Sequence, residues 1–282
     1  MHEPPAGRAD VTVVFLHAYA MSQHSWHYQR RDLDGFARLV LVDHRGHGRS
    51  GRGPDDAYTV ERLGADLACV LDAVAPTGPV VLVGHSIGGM AALSLAAARP
   101  DWFGPRVQGV VLIATSADER GRHLLVPMPE LVRRHVPGTA QLLARHPEFT
   151  GRALHVSDDL VLVLTAHYGF GSAEVPPSVV AFTRDMHVAT PLDVLGAFVP
   201  SFDAYDVTHA LHVLGPPVEV TVVAGTRDSV VDLARTLAIV RDLPDADVHV
   251  LADAGHMLPL ERPDDVTAAV RETVDRVRSR RR

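Results

Sequence analysis

Three residues far apart along the chain have the side-chain types needed for nucleophilic catalysis: Ser86, Asp228 and His256. A serine hydroxyl is a poor nucleophile until a base takes its proton, and the base works best when a carboxylate orients it. Ser86 stands in Gly84-His85-Ser86-Ile87-Gly88-Gly89, between the apolar run Val80–Val83 and the alanine-rich stretch Met90–Ala98. Strand, tight turn and helix in that order push the hydroxyl out of the backbone, and Gly84 and Gly88 leave room for the close approach this requires. The Ile87 amide then falls at a helix N-terminus, where a developing negative charge is stabilised. Asp228 and His256 each follow an apolar run, in Gly225-Thr226-Arg227-Asp228 and Asp253-Ala254-Gly255-His256-Met257. Ser86 is therefore expected to be the nucleophile, His256 the general base and then acid, and Asp228 the carboxylate that orients His256. Asp118, just after another apolar run, is the rival position for the acid, whereas Asp232 and Asp253 fit surface positions. A second oxyanion donor should come from the loop His17-Ala18-Tyr19-Ala20, with the Tyr19 amide facing that of Ile87.

With 17 histidines in the chain, chance juxtapositions are to be weighed. His17 and His85 are expected to brace the loops beside the site. His123, His135, His155, His167 and His187 are expected to be solvated or to cap helices. No two histidines lie at i, i+4 beside a carboxylate in a metalloprotease pattern, so no metal site is expected.

Composition narrows the chemistry further. There is no Lys and no Asn among the 282 residues, which excludes Schiff-base catalysis, pyridoxal phosphate attachment and a P-loop lysine. The net charge of −7 argues against a nucleic-acid surface. The basic run Arg278–Arg282 follows a predicted helix and reads as favourable charge at its C-terminus plus a solvated tail. Cys69 is the only cysteine, so no internal disulfide forms; it sits in an apolar helical pattern and is expected to be a buried, inert thiol. Met1–Asp10 is polar and lacks a secretory apolar region, which suggests a cytoplasmic protein. Gly78–Ala98 carries no formal charge, but Gly84, His85, Ser86, Gly88 and Gly89 interrupt it, so it reads as strand, turn and helix and not as a membrane span.

The elements that must position these residues are visible as alternating patterns. Val11–Leu16, Leu39–Val42, Val80–Val83, Val107–Ala114, Val218–Ala224 and Val248–Leu251 read as buried strands of a parallel sheet covered on both faces. Between them, Thr59–Val74 has Val60, Leu63, Leu67, Val70, Leu71 and Val74 at helical spacing, with Thr59 as a possible N-cap. Val231–Leu243 and Pro263–Val277 are similar, the latter with Pro in its first turn. The alternation gives an α/β, doubly wound, mostly parallel sheet of about six strands. The stretch 117–207 shows no clear strand and is too long for a loop. It is read as an inserted helical cap (lid), with 1–116 and 208–282 as the core. Its Phe149, Tyr168, Phe170, Phe182, Met186, Phe198, Phe202 and Tyr205 either pack cap against sheet or line an apolar pocket. Tyr19, Tyr168, Phe170 and Met257 are the candidate substrate contacts.

Taken together, His17-Ala18-Tyr19, Asp43-His44-Arg45-Gly46-His47-Gly48-Arg49-Ser50, Gly84–Gly89, Asp228 and Gly255-His256 make the chain resemble the α/β-hydrolase family from Val11 to about Val277. The resemblance implies acyl-enzyme hydrolysis of esters, lactones, thioesters or amides without a cofactor. It also implies a structural role, near the nucleophile, for the Asp43–Ser50 turn. Three departures stand out. Ala18 replaces a glycine common in the family, the usual leading strand pair is missing, and serine at 86 argues against epoxide hydrolases and dehalogenases, which use Asp there. The expected activity is a serine hydrolase of a medium-sized apolar ester or lactone, acting on a small molecule as a monomer or homodimer. Two alternatives stay open. One is a carbon–carbon bond hydrolase, perhydrolase, cofactor-free oxygenase, or lyase or cyclase of a natural-product pathway on the same fold. The other is a ligand-binding module.

Overall fold

The structure of the protein is a computed structural model that describes residues 10–118, 162–172 and 174–281. His123, His135, His155 and Phe149 lie outside the described residues, as do 1–9 and Arg282. Six strands form one parallel sheet: β1 (Thr12–Leu16), β2 (Arg38–Val42), β3 (Val80–His85), β4 (Val107–Ile113), β5 (Glu219–Gly225) and β6 (Asp247–Leu251). Their order in space is β2-β1-β3-β4-β5-β6. Leu16 lies opposite Gly84, and His85 opposite Ile113, so the loops after β1, β3 and β4 leave the sheet side by side. That is the edge where ligands bind in open parallel sheets.

Strand side chains alternate between the two faces, and each face has its own core. Val14, Leu16, Leu82, Leu112 and Val222 pack with helices α2 (Val60–Val74) and α3 (Ile87–Ala98). Val13, Phe15, Val83, Ile113 and Val223 pack on the opposite face with Trp26, near the start of α1 (His27–Asp32), and with the C-terminal helix. Burying branched side chains on both faces is the main stabilising contribution, about 1.5–3 kcal/mol for each fully buried one. The chain then gives α4 (Pro177–Ala189), α5 (Leu192–Ala204), α6 (Leu233–Arg241), the short α7 (Leu258–Glu261) and α8 (Pro263–Ser279). Local chemistry explains the helix ends. The Thr59 hydroxyl accepts from Arg62 N at 3.1 Å and starts α2 as expected, and Asp232 does the same for α6. Acidic residues open α8 and arginines close it, matching the helix dipole. Helix α3 is buried from Ile87 to Ala96, because the sheet, α2 and the 208–214 segment enclose it; its alanines allow that close packing.

Three expectations need correction. Cys69 is exposed: α2 turns Leu63, Gly64, Leu67 and Leu71 inward, and position 69 falls on the outer side of that stripe. Strand β6 is the edge of the sheet, so Val248 and Val250 are 36% and 45% exposed and its apolar run is not covered on both faces. Arg278 and Arg280 are not merely solvated: Arg278 pairs with Asp10 and donates to the Phe36 carbonyl, and Arg280 pairs with Glu219. Within 162–172 and 174–207 the described residues form helices and turns, with one isolated bridge from Asp206 to Asp118. Among the described residues no helix is long and apolar enough to cross a membrane.

Candidate active site

Ser86 is the single residue between the end of β3 and the start of α3. Its backbone sits at φ 53°, ψ −119°, a conformation an L side chain adopts only under constraint, costing about 1–3 kcal/mol. Neighbouring bonds hold it there. Ser86 N donates to the Ile113 carbonyl at 2.9 Å, and the Thr115 hydroxyl donates to the Ser86 carbonyl at 2.7 Å. Only glycine fits the flanks. A methyl on Gly88 would lie 2.2 Å from the Leu16 carbonyl oxygen, and one on Gly84 would lie 2.5 Å from Gly89 N. As the first residue of α3, Ile87 has an N–H with no partner inside the helix.

The turn after β5 carries Asp228 and the loop after β6 carries His256, both buried. Asp228 Oδ1 accepts from Val230 N and Val231 N, each at 2.9 Å, which fixes the carboxylate. Its Oδ2 lies 2.9 Å from His256 Nδ1. A buried hydrogen bond of this kind orients the ring strongly, because little water competes for it. His256 Nε2 is thereby left as the nitrogen that can handle a second proton. His85, the neighbour of Ser86, donates from Nε2 to the His256 carbonyl at 2.8 Å, and the two rings are 5.0 Å apart. The base loop is thus tied to the nucleophile turn. Asp118 takes another place: it bridges to Asp206, and its charge acts on Arg235. Asp232 and Asp253 are exposed, as expected.

Sequence reasoning missed Glu261. From α7 its carboxylate accepts Gly255 N at 2.8 Å, Gly171 N at 3.0 Å and Ser172 N at 2.9 Å. It clamps the residue before His256 to the 171–172 segment. Gly171 and Gly255 meet backbone to backbone, and a methyl on Gly255 would come within 2.4 Å of Gly171 N. No local pattern advertises this clamp, since Gly171 and Ser172 lie 90 and 89 residues from Glu261.

The Tyr19 amide belongs to the loop after β1, beside the β3 turn. Three buried imidazoles brace that loop. His17 Nδ1 meets the Ala18 carbonyl at 2.8 Å and His17 Nε2 accepts His44 N at 2.9 Å, while His47 Nε2 accepts Ala20 N at 3.3 Å. Burial holds His17 well below the usual histidine range, pushes His44 down to about 3 and lowers His47, so all three are neutral. The Asp43–Ser50 turn has the structural role expected of it: Asp43 accepts Gln23 N at 2.7 Å and Arg49 N at 3.1 Å. The Tyr19 side chain points to helix α5, its hydroxyl donating to the Leu195 carbonyl at 2.5 Å.

Of the other candidate contacts, Phe170 and Met257 are buried together with Ala18, Met21, Met186 and Leu260. Met257 N donates to the Gly169 carbonyl at 2.8 Å. Tyr168 is half-buried, and its carbonyl accepts from Ser229. Phe198, Phe202 and Tyr205 are buried in the main core, and Phe182 is 37% exposed. An open, largely apolar cavity of about 860 Å³ lies beside Phe170, Val175, Val180 and Ser229. His167 is exposed, as expected. His187 is not a solvated residue: it is half-buried, bonds Thr165 through Nδ1 at 3.0 Å and feels the charge of His256. Among the described residues, the group that could ligate a metal is Asp247, His249 and Glu272. It includes the first residue of β6, whereas His256 follows the last, and Arg276 already donates to Asp247 at 3.0 Å.

The chain is similar to known hydrolases over nearly its whole length. It is 30% identical to Lipase LipV of Mycobacterium tuberculosis, over 95% of this chain and 94% of the lipase. A thermophilic esterase from Thermogutta terrifontis superposes with a TM-score of 0.75 at 25% identity, over 95% of this chain and 90% of that one. An enol-lactonase from Burkholderia xenovorans gives a TM-score of 0.75 at 25% identity, over 97% and 94%. The family described as alpha/beta hydrolase fold matches residues 11–263, and the chain belongs to it.

Proposed function

We propose that the protein is a serine hydrolase that cleaves a carboxylic ester or lactone through an acyl-enzyme. Ser86 Oγ attacks the carbonyl carbon as His256 Nε2 takes its proton, and Asp228 stabilises the imidazolium that forms. The amides of Ile87 and Tyr19 receive the oxyanion. His256 then gives the proton to the leaving alcohol, and a water activated by the same imidazole releases the acid. The observation that carries this reading is the buried His256–Asp228 bond of 2.9 Å, held against the strained Ser86 turn through His85. We assign 117–207 to a cap over this edge. In support, β4 and β5 are neighbours in the sheet although residues 114–218 separate them.

The test is Ser86→Ala. The variant should neither turn over p-nitrophenyl esters nor react with a fluorophosphonate probe, while the wild-type protein does both. Undiminished labelling in the variant would refute the assignment.

A further inference from the structure

The last turn of helix α4 packs against the loops that carry Ala18 and Met257. Met186, in its last turn, is buried in one cluster with Ala18 of the oxyanion loop and Met257, the residue after His256. His187 follows it. Its Nδ1 is 3.0 Å from the hydroxyl of Thr165, which begins the helical turn Thr165–Gly169. That turn ends at Gly169, whose carbonyl accepts Met257 N at 2.8 Å. One turn of helix, roughly 5 Å long, therefore separates the His187 bond from the base loop. The residue before His187, Met186, sits in an apolar cluster with Ala18, Met21, Phe170, Met257 and Leu260. A single fixed polar group in such a lining is what orients a ligand and discriminates between ligands.

We propose that His187, steadied by Thr165, is the cap's polar contact with the acyl portion of the substrate. It would select esters or lactones that carry a hydrogen-bond acceptor oxygen on that portion over plain alkanoyl ones. The inference rests on the hydrolase reading of Ser86 but concerns a different residue. A neutral imidazole has one donor and one acceptor nitrogen. We assign the Thr165 hydroxyl as the donor to Nδ1, which leaves Nε2 carrying the proton, free to donate to a carbonyl, ether or hydroxyl oxygen of the substrate. Burial, and then the charge of His256, push the His187 imidazole down to about 4, so it stays neutral while His256 cycles.

Calorimetry on Ser86→Ala tests this by binding alone, using two matched esters, a plain alkanoyl ester and one with a keto oxygen on the acyl chain. The expected result is a preference of up to about tenfold for the keto ester, the worth of one hydrogen bond. In Ser86→Ala/His187→Leu the preference should vanish with the plain ester's affinity unchanged. In Ser86→Ala/His187→Gln, which keeps a donor, part of it should return. No preference in Ser86→Ala, its persistence in the leucine variant, or an equal loss of both affinities would overturn the proposal. Turnover of either ester by Ser86→Ala would instead contradict the serine-nucleophile reading, and the ratio of affinities would still be readable.

Discussion

In the proposed mechanism the proton that leaves Ser86 needs an imidazole already turned the right way, and Asp228, 2.9 Å from His256 Nδ1, would do the turning. Asp228→Asn keeps the shape but reverses the hydrogen-bonding demand on His256 Nδ1, which favours the wrong tautomer. The expected outcome is a fall in kcat of roughly 10⁴ with an unchanged circular dichroism spectrum. Ester kinetics on the purified variant check this, and a loss below about tenfold would remove Asp228 from the triad. Glu261 is a positioning residue. Replacing it with Ala leaves the amides of Gly255, Gly171 and Ser172 without their acceptor. We expect kcat to fall more than KM changes, together with a lower Tm, because a charged group that accepts buried N–H bonds contributes about 1.5–3 kcal/mol. Ser86, Asp228 and His256 were legible in the sequence because each follows an apolar strand and its type names its chemistry. Glu261 and His187 were not. Glu261 holds Gly171, 90 residues away, and His187 bonds Thr165, 22 residues away; an isolated Glu or His carries no mark of such partners.

The oxyanion loop and helix α5 are joined through one side chain. The Tyr19 hydroxyl bonds the Leu195 carbonyl, and its ring meets those of Phe198 and Phe202 edge-on, with centroids 6.2 Å and 5.3 Å away. The residue whose amide is proposed to receive the oxyanion is therefore anchored by helix α5. Tyr19→Phe should lower kcat severalfold, up to about tenfold, since one buried hydrogen bond is lost. Affinity for a boronic acid that mimics the tetrahedral state should fall by the same factor, while affinity for a product acid stays put. A proportionate weakening of both ligands would mean that Tyr19 only shapes the cleft. The sequence pointed to this loop through its position after the first strand. It did not show the anchor, because α5 is reached only once the chain has folded back. The aromatic residues 198, 202 and 205 look from sequence like pocket lining as readily as core. The structure buries them in the main core, where α5 packs beside α2.

Across the whole molecule, neutral histidines set the acid limit of stability. His17, His44, His47 and His85 are buried, and burial lowers all four from the ordinary value of 6.5, His44 to about 3. Below 6.5 the unfolded chain binds more protons than the folded one, so stability falls as pH falls. For His44 that loss extends down to about pH 3, at up to about 1.4 kcal/mol per pH unit. Melting curves should show a Tm that these groups leave flat above pH 7 and that drops steadily from pH 6.5 to 4.5. A Tm that rises on acidification would contradict the burial of these rings. The sheet itself was legible, because runs such as Val80–Val83 and Val107–Ala114 have the near-continuous apolar character of strands covered on both faces. Edge position was not: Val248–Leu251 reads like an inner strand, and only the strand order shows that no strand among the described residues lies beyond it. The strand order brings the turns carrying residues 86, 228 and 256 to one edge of the sheet, and the proposed mechanism requires an acyl group carried by Ser86. The most direct measurement is an acid quench during turnover of a slow p-nitrophenyl ester, followed by peptide mass mapping. The predicted result is an acyl increment on the peptide containing Ser86, appearing and decaying with turnover and absent in Ser86→Ala. Turnover with the acyl group on another residue, or unchanged in Ser86→Ala, would contradict it.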